Sequence, residues 1–366
     1  MELTPISQWF SKPIEGPLLI SGPCSAESRE QVLETARGLA ALGRIQVLRA
    51  GVWKPRTRPG NFEGAGEPAL GWLREAKEQF GFLLAVEVAT PEHFELALKY
   101  GVDLIWVGAR TSSNPFSVDQ LANAMAGTNI PVLIKNPVYP DIDMWIGTIE
   151  RFQKVGLTKI GAIHRGFSPF QRSTYRNVPK WEIPIELKSR IPSLPIICDP
   201  SHIAGRRELL KEIAQKALDL SMDGLMIESH FNPTVALSDA RQQVTPSKLE
   251  ELLNSLEFRS ESVANPEYLN RLESLREIID SIDSQLLELL AQRMDVAKEI
   301  GEFKKKNNVV IMQLRRWEEM INCRVEQGET LGLDPEYVKS LLRLVHRESI
   351  RQQANIMDRK NDSEKE

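Results

Sequence analysis

Four short segments carry side chains that could do chemistry together: Gly22-Pro23-Cys24, Asp199-Pro200-Ser201-His202, Ile227-Glu228-Ser229-His230 and Ser238-Asp239. Three of them close apolar, strand-like runs: Leu18-Leu19-Ile20, Leu194 to Cys198, and Gly224 to Ile227. A thiol, an imidazole and carboxylates delivered by strand ends suit one divalent transition metal. The sulfur and nitrogen donors favour Mn, Fe, Co, Zn or Cu over Mg or Ca. A second set of residues is cationic. Arg49, Lys54, Arg110, Lys135 and Arg165 lie at or just beyond the ends of apolar runs. Cations gathered at one place need anions such as phosphate and carboxylate.

The elements that must position these residues read as alternating strands and helices. Eight strand candidates occur: Leu18–Ser21, Gln46–Ala50, Leu83–Val88, Leu104–Gly108, Val132–Lys135, Lys159–His164, Pro195–Asp199 and Leu225–Glu228. Helical patterns lie between most of them, such as Arg29–Leu42, Glu67–Phe80, Pro91–Tyr100 and Arg206–Ser221. The strands are apolar on both faces, as parallel strands covered by helices should be. The pattern predicts an α/β TIM (β/α)8 barrel over residues 1–256, with active-site residues at the C-terminal ends of the strands. A doubly wound open sheet is the alternative. No Gly-x-Gly-x-x-Gly follows the first strand, which weakens a dinucleotide-binding reading.

After Leu256 the composition changes, with a polar linker at 257–266. An all-helical three-helix domain is expected over 267–358 and a disordered tail over 359–366. Leu272, Leu275, Ile279, Ile282, Leu286 and Leu289 fall on an apolar stripe of one helix running from Glu267 to about Lys305. A helix that long cannot bury its stripe within one small domain. A homodimer through these helices, intertwined, is therefore expected. A second helix is expected over Leu314–Gln327 with Gly328 marking its end. A third starts from Asp334 as N-cap and Pro335.

Composition narrows the function. The net charge of -4 argues against nucleic-acid binding. Three dispersed cysteines indicate a reducing cytoplasm rather than a disulfide framework, and Cys198 and Cys323 read as inert buried thiols. Met1 to Phe10 has no apolar signal core, and no apolar run approaches the roughly 20 residues that span a bilayer. A cytoplasmic enzyme without membrane or nucleic-acid partners is expected.

The barrel segment resembles the 3-deoxy-D-arabino-heptulosonate 7-phosphate (DAHP) synthases, in the branch nearest the 3-deoxy-octulosonate 8-phosphate synthases. The matching motifs, in order, are Gly22-Pro23-Cys24-Ser25, Lys54-Pro55-Arg56-Thr57, Gly108-Ala109-Arg110, Asp199-Pro200-Ser201-His202 with Gly205-Arg206-Arg207, and Leu225-Met226-Ile227-Glu228. The octulosonate branch typically reads Ala-Asn-Arg-Ser where this chain has Lys54-Pro55-Arg56-Thr57, which favours erythrose 4-phosphate as substrate. The resemblance implies that Cys24, His202, Glu228 and Asp239 hold one divalent Mn, Fe, Co or Zn ion. It implies that Arg49, Lys54, Arg110, Lys135 and Arg165 bind phosphoenolpyruvate, with Lys54 also catalytic, and that Arg56 and Thr57 bind erythrose 4-phosphate. Departures occur at His164, where the family usually has Glu, at Asn136-Pro137 and at Ile203-Ala204.

The C-terminal segment, Leu272 to Gln353, resembles the all-helical chorismate mutases. The resemblance assigns chorismate binding to Arg276, Arg293, Lys304, Gln313, Arg316, Ser349 and Gln353, with Arg293, Lys304 and Gln353 catalytic. Gln313 replaces a substrate-contacting Asp of that family, and Trp317 replaces its Glu. Helix geometry adds an independent point. Arg293 and Lys304 lie about 20° apart around a 3.6-residue helix, whereas Arg276 lies about 100° from Arg293. Arg276 is then free to serve a neighbouring chain's site. The sequence thus predicts a bifunctional enzyme of early aromatic biosynthesis, with feedback by prephenate or chorismate through the helical domain. Two alternatives stand beside it: a helical domain that only senses chorismate or prephenate, and an octulosonate 8-phosphate synthase barrel.

Overall fold

The computed structural model describes residues 3–54, 62–169, 173–259 and 265–358. It divides into two compact units, Met1–Glu261 and Ser262–Glu366. Among the described residues of the first, eight parallel strands close a barrel in chain order: β1 Leu18–Gly22, β2 Val47–Ala50, β3 Leu83–Val88, β4 Leu104–Val107, β5 Val132–Lys135, β6 Ile160–His164, β7 Ile196–Cys198 and β8 Gly224–Glu228. Closure comes from β1 pairing with β8, Leu18 opposite Gly224 through Gly22 opposite Glu228. The barrel, not the open sheet, is the fold.

The strands are apolar throughout because each has two dry faces. Ile20, Val47, Ala85, Leu133, Ile197 and Met226 fill the lumen. Leu19, Leu48, Val86, Ile134, Cys198 and Ile227 pack outward among helix residues such as Leu39, Leu73 and Ile213. Each such fully buried aliphatic side chain contributes roughly 1.5–3 kcal/mol. The same two-residue alternation, continued past the lumen core, brings Gly22, Arg49, Glu87, Lys135, Asp199 and Glu228 to the lumen side of the C-terminal rim. Trp9 joins the lumen cluster from the N-terminal segment, and Lys159 Nζ donates to its carbonyl at 2.8 Å.

One barrel helix is shorter than its pattern suggests. Gly205 is left-handed at φ 69° and Arg206 is extended at φ -157°, so a 3-10 turn precedes a helix confined to Leu210–Asp219.

The second unit is three helices, Pro266–Lys306, Leu314–Thr330 and Pro335–Asp358. Asn265 caps the first through Oδ1, which accepts from the Glu267 and Tyr268 amides at 3.0 and 3.3 Å. Asp334 Oδ1 accepts from the Tyr337 amide at 2.8 Å and caps the third. Gly328 does not end the middle helix, which continues to Thr330. The left-handed residue is Gly332 at φ 80°. Gly328 instead lets the last helix approach: a Cβ there would stand 2.6 Å from Val338 Cγ2. Of the remaining thiols, Cys198 is buried but Cys323 is exposed, because its helix turns that position outward. No described helix is long and apolar enough to cross a membrane.

Candidate functional site

The rim of the barrel gathers the chemistry. Gly22 makes the first turn possible: its φ is 148°, and a Cβ would stand 2.1 Å from the Arg49 carbonyl oxygen. The chain then delivers Cys24, whose amide donates to Gln243 Oε1 at 2.9 Å. Gln243 Nε2 donates to the Ser238 carbonyl at 2.8 Å, and the Ser25 and Ser238 hydroxyls meet at 2.6 Å. The loop after β1 and the segment bearing Asp239 are thus tied together. Asp239 sits in the left-handed region at φ 46°, a costly conformation for a residue with a Cβ. Arg176 holds it at 3.1 Å.

One ligand-type atom each from Cys24, Glu228 and Asp239 lies within 4.8 Å of the others. His202 stands beside this group, with Nε2 3.8 Å from Glu228 Oε1 and Nδ1 2.8 Å from Asp199 Oδ2. Local sequence explains its placement. Asp199 caps the short helix Pro200–Ala204, its Oδ1 accepting from the His202 amide at 3.1 Å, and Pro200 occupies the first position.

The donor set fits a metal ion. Glu228 Oε1 is buried without a hydrogen bond. Burial, followed by the neighbouring Glu228, pushes the Cys24 thiol up to about 12. A cation among these groups would supply the missing partner and stabilise the thiolate. Burial alone would raise Glu228, but His202, Arg49 and Lys54 outweigh it and hold its carboxyl below the usual range. Asp239 is likewise held low, by Arg176 and His202 against burial.

The cations surround this set. Lys54 Nζ donates to Cys24 Sγ at 2.7 Å. Arg49, 2% exposed, stands 3.4 Å from Glu228 Oε1 and donates to the Cys24 carbonyl at 3.2 Å. Lys135 pairs with Asp199 at 3.0 Å. Trp106 lies beneath both, its ring 4.8 Å from the Arg49 guanidinium and 5.8 Å from Lys135 Nζ, and its Nε1 donates to Glu87 Oε2 at 2.8 Å. It is a core residue and also the floor under these charges.

Arg165 follows β6. Its amide donates to Asn136 Oδ1 at 2.7 Å and its Nη1 to Asn177 Oδ1 at 2.8 Å. Asn177 Nδ2 in turn donates to the His202 carbonyl at 2.6 Å. Burial pulls the Arg165 guanidinium down to about 10. Arg110 opens the short helix Ala109–Ser112 after β4 and is exposed. Arg56 and Thr57 lie outside the described residues. His164 is turned away from the lumen, between Phe167 and Trp181, with ring centroids 5.9 and 5.2 Å away.

Several residues of this site were given no role from sequence. Asn136, buried at the end of β5, bonds the Gly166 carbonyl at 2.9 Å as well as the Arg165 amide, so the departure from the family pattern there is structurally filled. Gln242 Nε2 donates to Glu228 Oε2 at 2.7 Å, and its Oε1 accepts from Arg176 at 2.7 Å. These residues lie at strand ends and in loops, where no periodicity marks them. The one available signal is an amide side chain beside a charged motif residue.

In the helical unit, Arg293 Nη1 donates to Ser349 Oγ at 2.5 Å, joining the first helix to the last. Lys304 Nζ donates to the Ile311 carbonyl at 2.5 Å. Lys304 and Gln313 line a groove of about 470 Å³ with Phe303 and Val309. Gln353 is buried, with Oε1 unpartnered. Arg316 is exposed. Arg276 is exposed too, 3.6 Å from Glu273 on its own helix, and is not brought to Arg293 within this chain.

Converging cations beside a thiol–carboxylate–imidazole set, at the C-terminal rim of a closed barrel, define a β/α-barrel enzyme that handles anionic substrates. The model of the DAHP synthetase I family matches residues 15–264, and that of chorismate mutase type II matches residues 275–354. The chain belongs to the DAHP synthetase I family, and its second unit is a chorismate mutase type II domain; together they make a bifunctional enzyme of the shikimate pathway.

The chain is 35% identical over 238 residues to the phospho-2-dehydro-3-deoxyheptonate aldolase of Thermotoga maritima, covering 65% of this chain and 68% of that protein. A solved DAHP synthase structure from the same organism superposes with TM-score 0.61 at 34% identity, covering 69% of this chain and 72% of that one. The T-protein of Enterobacter agglomerans is 40% identical over 78 residues, 21% of each chain. The 2-dehydro-3-deoxyphosphooctonate aldolase of a Janthinobacterium species is 25% identical over 257 residues, covering 65% of this chain and 88% of that protein.

Proposed function

We propose that the barrel condenses phosphoenolpyruvate with D-erythrose 4-phosphate to give DAHP and phosphate, and that the helical domain rearranges chorismate to prephenate. The observation carrying the first half is the Cys24, Glu228 and Asp239 cluster within 4.8 Å, flanked by Arg49, Lys54 and Lys135. Cys24, His202, Glu228 and Asp239 would hold one divalent ion, Mn, Fe, Co or Zn, which when bound acts as a Lewis acid beside the aldehyde.

The chain's own residues supply the rest. Arg49 and Lys54 meet the phosphoenolpyruvate carboxylate, and Arg110, Lys135 and Arg165 its phosphate, holding the enol carbon toward the aldehyde. That carbon forms the new C–C bond, water adds to the carbon bearing the phosphate, and the C–O bond to phosphate breaks. Arg56 and Thr57 take the phosphate of erythrose 4-phosphate.

The rearrangement moves no proton. The helical site therefore has only to hold the reactive conformer and stabilise charge on the ether oxygen, the work of Arg293, Lys304 and Gln353. Arg276 enters from a second chain. The homodimer is supported by the solvent-facing apolar side chains of the long helix, among them Ile278, Ile279, Ile282, Leu286 and Leu289. Prephenate or chorismate bound there would feed back on the barrel. A purely sensory helical domain is the second reading, favoured by Gln313 and Trp317 in place of two carboxylates. An octulosonate barrel is disfavoured by Lys54-Pro55-Arg56-Thr57.

One preparation of the full chain tests all of this. It should release phosphate from phosphoenolpyruvate with erythrose 4-phosphate but not with arabinose 5-phosphate, stop on exhaustive chelation, and consume chorismate in either condition. Condensation at full rate after chelation would sink the metal role. No chorismate turnover would favour the sensory reading.

A further inference from the structure

Gln313 and Trp317 stand where the chorismate mutases carry Asp and Glu, and the fold brings another polar group to the same place. His346 of the last helix stacks on the Trp317 ring of the middle helix, with centroids 3.7 Å apart and planes at 16°. Its Nε2 is buried and has no hydrogen-bond partner. His346, Ser349 and Gln353 lie at i, i+3 and i+7, one face of their helix. On that face Ser349 is joined to Arg293, and Gln353 Oε1 is also buried and unpartnered. Buried polar atoms without partners are rare in native proteins, and their clustering marks a place a ligand completes.

The chemistry of the ligand selects the contact. Chorismate carries two carboxylates and one ring hydroxyl. The cations of the site take the carboxylates, so the hydroxyl is the group left for an uncharged partner. Burial, with the charges of Arg293 and Lys304, holds the His346 imidazole below its usual value. A neutral ring presents either a donor or an acceptor at Nε2, and a hydroxyl satisfies both.

We propose that His346, held in place by its stack on Trp317, is a substrate-contacting residue of the mutase site whose Nε2 hydrogen-bonds the ring hydroxyl of chorismate. This rests on the mutase reading above. A packing role alone would explain the stack but not the unpartnered nitrogen.

The test crosses two variants of the full chain with two substrates. His346→Phe keeps an aromatic ring on Trp317 and removes the nitrogen. His346→Gln keeps a hydrogen-bonding group. The substrates are chorismate and its analogue lacking the ring hydroxyl. For chorismate, kcat/KM should fall about five- to thirtyfold in His346→Phe, the range of one hydrogen bond, and recover in part in His346→Gln. On the deoxy analogue the unaltered chain and both variants should agree within about twofold, below the loss expected from one hydrogen bond. Equal losses on both substrates, or no loss on chorismate, would overturn the proposal. A variant that folds poorly loses activity on both substrates in proportion, which the ratio of the two separates from a lost contact. If the unaltered chain turns over no chorismate, the mutase reading itself has failed. The same comparison then runs on the affinities of chorismate and its deoxy analogue, and His346→Phe must weaken only the former.

Discussion

Acid should expose the cost of His164. This side chain is fully buried at the end of β6, and neither ring nitrogen finds a hydrogen-bond partner of good geometry. Burial, then the charge of Arg165, pushes its pKa down from 6.5 to about 3. The sign follows from linkage. The folded chain refuses a proton that the unfolded chain accepts below about 6.5, so stability is complete above that pH and is lost as pH falls from 6.5 toward 3. The slope approaches about 1.4 kcal/mol per pH unit once the unfolded imidazole is protonated, so the loss between pH 6.5 and 4.5 is about 2.3 kcal/mol. Carboxylates begin to titrate in the lower part of that window, but equally in parent and variant, so the difference between the two isolates His164.

His164→Leu removes the titration and fills a similar volume between Phe167 and Trp181. Barrel stability by denaturant titration at a series of pH values should match or exceed the parent at pH 7. The variant should then gain about 2 to 3 kcal/mol on it by pH 4.5. Condensation should persist, because the side chain is turned away from the lumen. Parallel acid limbs in parent and variant would refute the reasoning. Loss of condensation with a normal fold would instead place an acid–base role at position 164.

Other outcomes follow from the same geometry. Asn177→Ala frees both Arg165 and the His202 carbonyl, so KM for phosphoenolpyruvate should rise about tenfold and metal affinity should fall, checked by kinetics and by metal titration. Mixing Arg276→Ala with Arg293→Ala chains should restore part of the mutase activity each lacks, and a mixture as inactive as its parents would rule out a shared site. Gly328→Leu should lower the melting temperature of the helical unit by several degrees, from a clash with Val338 costing about 1–3 kcal/mol. Prephenate should inhibit the full chain and leave residues 1–261 unaffected, and an equal response in both would remove the regulatory role of the helices.

Much of this was legible because strands alternate strictly. Once Ile20, Val47, Leu133, Ile197 and Met226 are placed in the lumen, Arg49, Lys135, Asp199 and Glu228 must follow on the same side two residues later. The motifs around Cys24, His202 and Asp239 supplied the candidate donors. What escaped were the groups that hold them. Arg176, Asn177 and Gln242 reach the site from loops, where spacing carries no period, and Asn136 looked like a departure rather than a brace. Gly328 was misread as a helix end because a helical glycine can serve either a left-handed turn or a close approach. His346 carries no mark in the sequence, because its stack on Trp317, 29 positions away, is invisible along the chain.

The central claim is that one chain carries two separate chemistries, with Cys24 holding the metal of the first. Cys24→Ala in the full chain tests it with three readings on one preparation: bound divalent metal, condensation rate and chorismate turnover. The account predicts loss of the metal and nearly all condensation, with chorismate turnover close to normal. Condensation at the parental rate, with the metal still bound, would contradict it.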